Sequence, residues 1–153
     1  MALGTGDPAP DLTLEDDRGE TVRLTDLRGR NVVVFFYPKN DTPVCTKESC
    51  AFRDAYEDFR GADAEVFGVS ADDAASHTRF RDKHQLPYRL LSDRDRSAAR
   101  AFGVPQRFGL MPARMTFVID AEGVIRHVTH ADLSAERHVK EALSALASLR
   151  SRP

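Results

Sequence analysis

Apolar positions along this chain follow two rhythms. Val32-Val33-Val34-Phe35-Phe36-Tyr37 is apolar at every position, as a strand covered on both faces requires. Residues 64–70 (AEVFGVS) read as a second strand, and residues 88–91 as a short third. Leu12-Thr13-Leu14 and Thr21-Val22-Arg23-Leu24 alternate on either side of Asp16-Asp17-Arg18-Gly19, which predicts a β-hairpin near the N-terminus. Thr25-Asp26-Leu27-Arg28-Gly29 predicts a short capped turn. Residues 115–120 and 124–128, joined by Ala121-Glu122-Gly123, predict a second hairpin. Elsewhere the period lengthens to that of a helix. Cys45, Ser49, Phe52, Tyr56 and Phe59 form one inward stripe, with Cys45 at its start, half under the fold and half at its edge. Thr42 serves as N-cap, Pro43 as first helical residue and Gly61 as the stop. A polar helix from Asp72 turns Phe80 inward, and a short helix over 95–102 ends at Gly103. A last helix over 134–149 carries Val139, Leu143, Leu146 and Leu149. Strands alternating with helices, then a late hairpin, predict an α/β fold with a central mixed sheet flanked by helices. No repeat or linker divides the chain, so residues 1–153 read as one domain.

Charge narrows the functional classes. The 22 basic and 24 acidic residues are interspersed and sum to -2, so nothing marks a nucleic-acid or membrane-surface binder. The longest apolar run is far too short to span a bilayer. The opening MALGTGDPAPDL lacks the charged and apolar regions of a secretory signal, which predicts a cytoplasmic protein.

The chemistry sits in the chain's two cysteines, Cys45 and Cys50. Cys45 falls in the first turn of the predicted helix, where unpaired N–H groups and the positive end of the helix dipole favour a thiolate. That position predicts a redox or nucleophilic centre. A metal site is the weaker alternative, because the pair offers two ligands only. His127 and His130 differ by three along a strand and face opposite sides, and His77 and His84 share a helix face that nothing acidic marks. A cysteine hydrolase would need a base near Cys45, yet no histidine precedes His77. A general disulfide oxidoreductase would carry C-x-x-C, which is missing.

Pro38, Thr42 and Cys45 spell P-x-x-x-T-x-x-C, and here the chain resembles the peroxiredoxins, in the branch of bacterioferritin comigratory protein and peroxiredoxin Q. FFYPKNDTPVCTKESCAFRD is similar to that branch throughout, as are GDPAPDLTL, VFGVSAD, LLSDRDRSAARAFGV and ARMTFVIDAEGVIRHV, so that the likeness covers residues 6–149. The resemblance implies a thioredoxin-like fold and reduction of hydrogen peroxide and organic hydroperoxides through a cysteine sulfenic acid, without a cofactor. Carried over by position, Cys45 is the peroxidatic residue, Thr42 and Pro38 shape its pocket, and Arg114 reaches in from a late strand. Cys50 matches the resolving cysteine, which closes an intramolecular disulfide that thioredoxin or a similar dithiol reduces. A Gly-Gly-Leu-Gly loop and a C-terminal Tyr-Phe end are both missing, which argues for a monomer or weak dimer over an obligate dimer. The alternative is a non-catalytic redox sensor or holdase-like module, which would need neither Thr42 nor Arg114.

These residue types suit the chemistry. Thiolate sulfur is a strong nucleophile, the Thr42 hydroxyl can accept and donate, and Arg114 brings a fixed charge to thiolate and developing alkoxide. Glu48, one turn past Cys45, reads as a solvated helix carboxylate rather than as a partner of Arg114. Phe52, Tyr56 and Phe59 read as core, and Phe108, Leu110 and Met111 as pocket lining outside the motif. The cysteine spacing adds one constraint. Five residues of ideal helix separate the two Cα atoms by about 8.6 Å, whereas a disulfide needs less than about 7 Å. Pairing therefore requires the helix to unwind locally.

Overall fold

The structure is a computed structural model that describes residues 3–40, 42–107, 111–131 and 134–150. The predicted N-terminal hairpin forms as β1 (Thr13–Asp16) and β2 (Thr21–Arg23), followed by a 3-10 turn at Leu24–Leu27. The apolar run becomes β3 (Asn31–Phe36), which leads into α1 (Pro43–Asp54) and α2 (Tyr56–Gly61). Next come β4 (Ala64–Ser70), α3 (Ala74–His84), β5 (Arg89–Ser92) and α4 (Ser97–Phe102). Two short strands, β6 (Gln106–Arg107) and β7 (Met111–Pro112), pair with each other. The chain closes with β8 (Met115–Ile119), β9 (Ile125–His130) and α5 (Ala135–Arg150).

Seven strands form one sheet in the order β2-β1-β5-β4-β3-β8-β9. β5, β4 and β3 run parallel, because each crossover passes through a helix. β8 lies antiparallel on β3, with Phe36 opposite Met115, so the end of β3 meets the beginning of β8. That register brings the chain just after β3 and the chain just before β8 to the same edge of the sheet.

Each face of the sheet is covered by its own core. Val32, Val34 and Phe36 point to the side that holds Phe102 and Phe117, while Val33, Phe35 and Tyr37 point to the side of α1, α2 and α5. Alternate residues of β3 thus serve opposite cores, which is why its sequence is apolar throughout. Phe35 and Phe52 stack at 4.4 Å with an interplanar angle of 9°, fixing α1 to the sheet. Gly68 in β4 permits this packing. A Cβ there would stand 2.8 Å from the Phe35 ring and 2.9 Å from Leu90.

Two expectations about the first long helix are corrected. It is not continuous: Ala55 leaves helical geometry at φ -96°, ψ 6°, and separates α1 from α2. Gly61 lies inside α2 rather than stopping it, and the left-handed residue after the helix is Asp63, at φ 55°. An aspartate tolerates that conformation better than most residues, so glycine was not required. The short helix begins at Ser97 rather than Asp95. The Asp93 carboxylate accepts hydrogen bonds from the backbone N–H groups of Ala98 and Ala99, both at 2.9 Å, and supplies the cap from outside the helix.

Candidate active site

Between β3 and α1 the chain makes a turn that Asn40 fastens to the body of the protein. The Tyr37 hydroxyl donates to Asn40 Oδ1 at 2.6 Å, and the Asn40 backbone N–H donates to Asp72 Oδ2 at 3.0 Å. Asn40 Nδ2 reaches Ser76 Oγ at 3.1 Å and His77 Nδ1 at 3.0 Å, while His77 Nε2 lies 3.1 Å from the Leu91 carbonyl. A carbonyl can only accept, so Nε2 carries the proton and Nδ1 accepts from Asn40. Burial holds the His77 pKa below its ordinary value, consistent with this neutral form. Neither Asn40 nor His77 stood out in the sequence as part of a site.

Thr42 occupies the N-cap position, with extended backbone at φ -86°, ψ 151°, but its side chain does not cap the helix. Its hydroxyl donates to the Lys39 carbonyl at 3.0 Å. That bond bends the side chain back over the turn and leaves acceptor capacity on its oxygen. Pro38 stands at the head of the turn, partly buried, and Pro43 begins α1.

Cys45 lies in the first turn of α1 and is fully buried, not half at the edge of the fold. It belongs to the core beside Tyr37 and Phe52, because the start of α1 tucks under the residues that follow β3. Arg114, immediately before β8, is also buried, and its Nη1 lies 3.0 Å from Cys45 Sγ. The β3–β8 pairing thus joins residues 69 positions apart in sequence.

The same Arg114 nitrogen donates to Glu48 Oε1 at 3.3 Å. Glu48 is entirely buried, which overturns its reading as a solvated helix carboxylate. It shares the inward side of α1 with Cys45, Ser49 and Phe52, and a three-residue step from Cys45 keeps it there. Burial pushes its pKa up to about 8, with Arg114 pulling the other way. Burial also works against the Arg114 charge, but Glu48 and Cys45 outweigh it and raise the Arg114 pKa. Behind Glu48, His138 of α5 brings Nε2 to 3.5 Å from Oε2. Its Nδ1 lies 2.7 Å from Thr116 Oγ1, and its Nε2 lies 2.7 Å from the Ala131 carbonyl.

Cys50 lies further along α1 and is partly exposed, and both cysteines are free thiols. Beside it, the buried Tyr88 hydroxyl donates to the Ser49 carbonyl at 2.7 Å. Of the residues singled out in the sequence, the structure therefore places Cys45 and Arg114 in contact, with Pro38 and Thr42 on the turn that leads to them. Phe108 and Leu110 lie outside the described residues, as does the side chain of Met111. Among the described residues no group of three or more His, Cys, Asp or Glu is arranged to hold a metal ion, and no helix is long and apolar enough to cross a membrane.

A buried sulfur at a helix start, with a guanidinium in contact, is equipped for nucleophilic attack on an acceptor that leaves as an anion. Comparison with known proteins narrows that chemistry. The AhpC/TSA family matches residues 5–128. Peroxiredoxin Q of Oryza sativa subsp. japonica, a chloroplastic protein, is 48% identical over 148 residues, spanning 96% of this chain and 68% of that protein. Its chloroplastic counterpart from Arabidopsis thaliana is 46% identical over 145 residues, spanning 94% of this chain and 67% of that one. Among solved structures, peroxidoxin BcpB from Mycobacterium tuberculosis superposes with a TM-score of 0.90 at 38% identity, covering 97% of this chain and 99% of that one. The bacterioferritin comigratory protein of Xanthomonas campestris, studied for alkyl peroxide reduction, gives a TM-score of 0.84 at 30% identity, covering 90% and 91%. These likenesses carry the thioredoxin-like α/β fold. They also overturn the cytoplasmic placement read from the N-terminus, since the peroxiredoxin Q relatives from Oryza sativa, Suaeda salsa and Arabidopsis thaliana are chloroplastic proteins. Lack of a secretory signal says nothing about that alternative.

Proposed function

We propose, from the premise that the chain belongs to the AhpC/TSA family and to its peroxiredoxin Q branch, that Cys45 is the sulfur at which this enzyme breaks its substrate. The protein is a peroxiredoxin, a thiol peroxidase that consumes a peroxide and a thiol reductant. In our reading Cys45, as thiolate, attacks the terminal oxygen of hydrogen peroxide or an organic hydroperoxide. An S–O bond forms, the O–O bond breaks, and Cys45 becomes a sulfenic acid while the other oxygen departs as alkoxide. The observation that carries this reading is the 3.0 Å approach of Arg114 Nη1 to Cys45 Sγ inside the protein.

Each neighbour has a physical task in that step. Arg114 supplies a permanent charge with directed donors, which favours the thiolate and then the negative oxygen. The α1 N-terminus adds N–H groups whose partners lie outside the helix. Thr42 stands on the turn with acceptor capacity for the peroxide O–H, and Pro38 fixes the backbone at the head of that turn.

Cys50 then attacks the sulfenic sulfur, releasing water and closing a disulfide within the same chain, which thioredoxin or a similar dithiol reopens. The enzyme acts as a single domain, as a monomer or weak dimer. Its two cysteines share a continuous helix in the thiol form, so the disulfide requires α1 to unwind. Amide exchange before and after one equivalent of hydrogen peroxide tests this. We expect protection across α1 to fall as both thiols are consumed. Both thiols consumed with α1 protection unchanged would overturn the unwinding step.

A further inference from the structure

Arg114 brings a single positive charge to two groups that can each carry a negative one. Its Nη1 lies 3.0 Å from Cys45 Sγ and 3.3 Å from Glu48 Oε1. Glu48 and His138 are fully buried, and Cys45 is too, so no bulk water dilutes an unbalanced charge. An unpaired charge in such a site is very costly, and the group changes its protonation instead. When sulfur is anionic, the carboxyl is therefore held neutral; when sulfur is neutral, the carboxyl can ionise against Arg114.

The far oxygen of Glu48 supplies the second observation. Oε2 is buried without a hydrogen-bond partner among the described residues, and His138 Nε2 stands 3.5 Å from it. His138 is held by Thr116 Oγ1 on one ring nitrogen and by the Ala131 carbonyl on the other. That carbonyl requires a proton on Nε2, so an N–H stands beside Oε2 at all times. The pair can hold one further proton, on the carboxyl or on Nδ1, without the imidazole ring moving. Arg137 and Glu141 act on His138 from its own helix, in opposite senses, and Tyr88, just before β5, feels the Glu48 charge from the other side.

We propose that Glu48 and His138 together store one proton while Cys45 is a thiolate and release it as sulfur is oxidised, so that the buried cluster stays neutral through peroxide cleavage. The inference rests on Cys45 being the peroxide-reactive sulfur. Written with its balance, the step takes Cys45–S⁻, HO–OR and the protonated pair to Cys45–S–OH, HOR and the deprotonated pair. The S–O bond forms, the O–O bond breaks, and sulfur loses two electrons to the peroxide oxygens. The departing oxygen gains one proton and the pair gives up one, so that no proton is drawn net from solvent, and Arg114 keeps its charge throughout. Glu48 and His138 act through Arg114 and are positioning residues, not groups that touch the peroxide. The raised Glu48 pKa agrees with this, since a carboxyl that titrates near 8 is protonated at pH 7.

Proton counting during a single turnover tests the idea. In a Cys50→Ser background the reaction stops at the sulfenic acid, and a pH indicator in weak buffer at pH 7 reports protons taken from solvent. With Glu48 intact, we expect close to no proton taken up for each sulfenic acid formed. Glu48→Gln in the same background should raise this to about one, because the carboxamide stores none. His138→Leu should raise it as well, because leucine has no N–H to set beside the ionised carboxylate, and it remains informative if Glu48→Gln folds poorly. One proton taken up with Glu48 and His138 intact would overturn the inference while leaving Cys45 as nucleophile. No sulfenic acid on Cys45 in any of these proteins would instead overturn the reading on which the inference rests.

Discussion

Cys45→Ser reduces peroxide consumption to the rate of the buffer while leaving the fold in place. Serine is slightly smaller than cysteine, and its hydroxyl oxygen can accept the Arg114 N–H that now points at sulfur. The site therefore stays paired, but a neutral hydroxyl does not attack an O–O bond as a thiolate does. Cys50 cannot substitute. It is partly exposed, in the body of α1, and Arg114 Nη1 is committed to Cys45 and Glu48. A steady-state assay with a dithiol donor checks this, with thermal denaturation alongside to show that the variant is folded. Turnover retained by Cys45→Ser would move the nucleophile elsewhere.

Arg114→Met should have the next largest effect. Methionine keeps an unbranched apolar stem in a buried position but removes the charge and both N–H contacts. Loss of one preorganised donor to a developing oxyanion typically costs about 3 to 4 kcal/mol, a factor of about 100 to 1,000. The single-turnover oxidation of Cys45 should slow by at least that much, because Arg114 also supports the attacking thiolate. Stability should suffer less than the removal of one partner from a buried ion pair would suggest. Arg114 holds the Glu48 pKa down against burial, so without it Glu48 moves further up and stays neutral, leaving no isolated charge. Rapid-mixing fluorescence and a denaturation curve measure the two effects separately. A rate within tenfold of the unmodified protein would mean that the contact with sulfur does not reach the transition state.

Much of this site was legible in the sequence because its signals are local. Residues 32–37 announce a central strand by unbroken apolarity, Pro43 marks a helix start, and their proximity places a cysteine where a coil becomes a helix. Arg114 was legible only through the resemblance to peroxiredoxins, since no spacing rule links it to Cys45. The link is the antiparallel register of β3 on β8, a tertiary fact. Glu48 was misread because an acidic residue on a helix is usually solvated. Its three-residue step from Cys45 was visible, but the buried guanidinium that tolerates it there was not. Thr42 was placed correctly along the chain yet assigned the wrong bond. A hydroxyl at an N-cap has two local partners of similar strength, and the Lys39 carbonyl wins. The break at Ala55 had no signal at all in an apolar period that runs on through Tyr56 and Phe59.

The most direct test of the central claim is to locate the first oxygen atom. Reduced Cys50→Ser protein, given one equivalent of hydrogen peroxide and a sulfenic-acid trapping reagent, is digested and its peptides weighed. The predicted result is an adduct on Cys45, formed in step with peroxide loss. Peroxide loss with Cys45 recovered as an unmodified thiol would contradict the account.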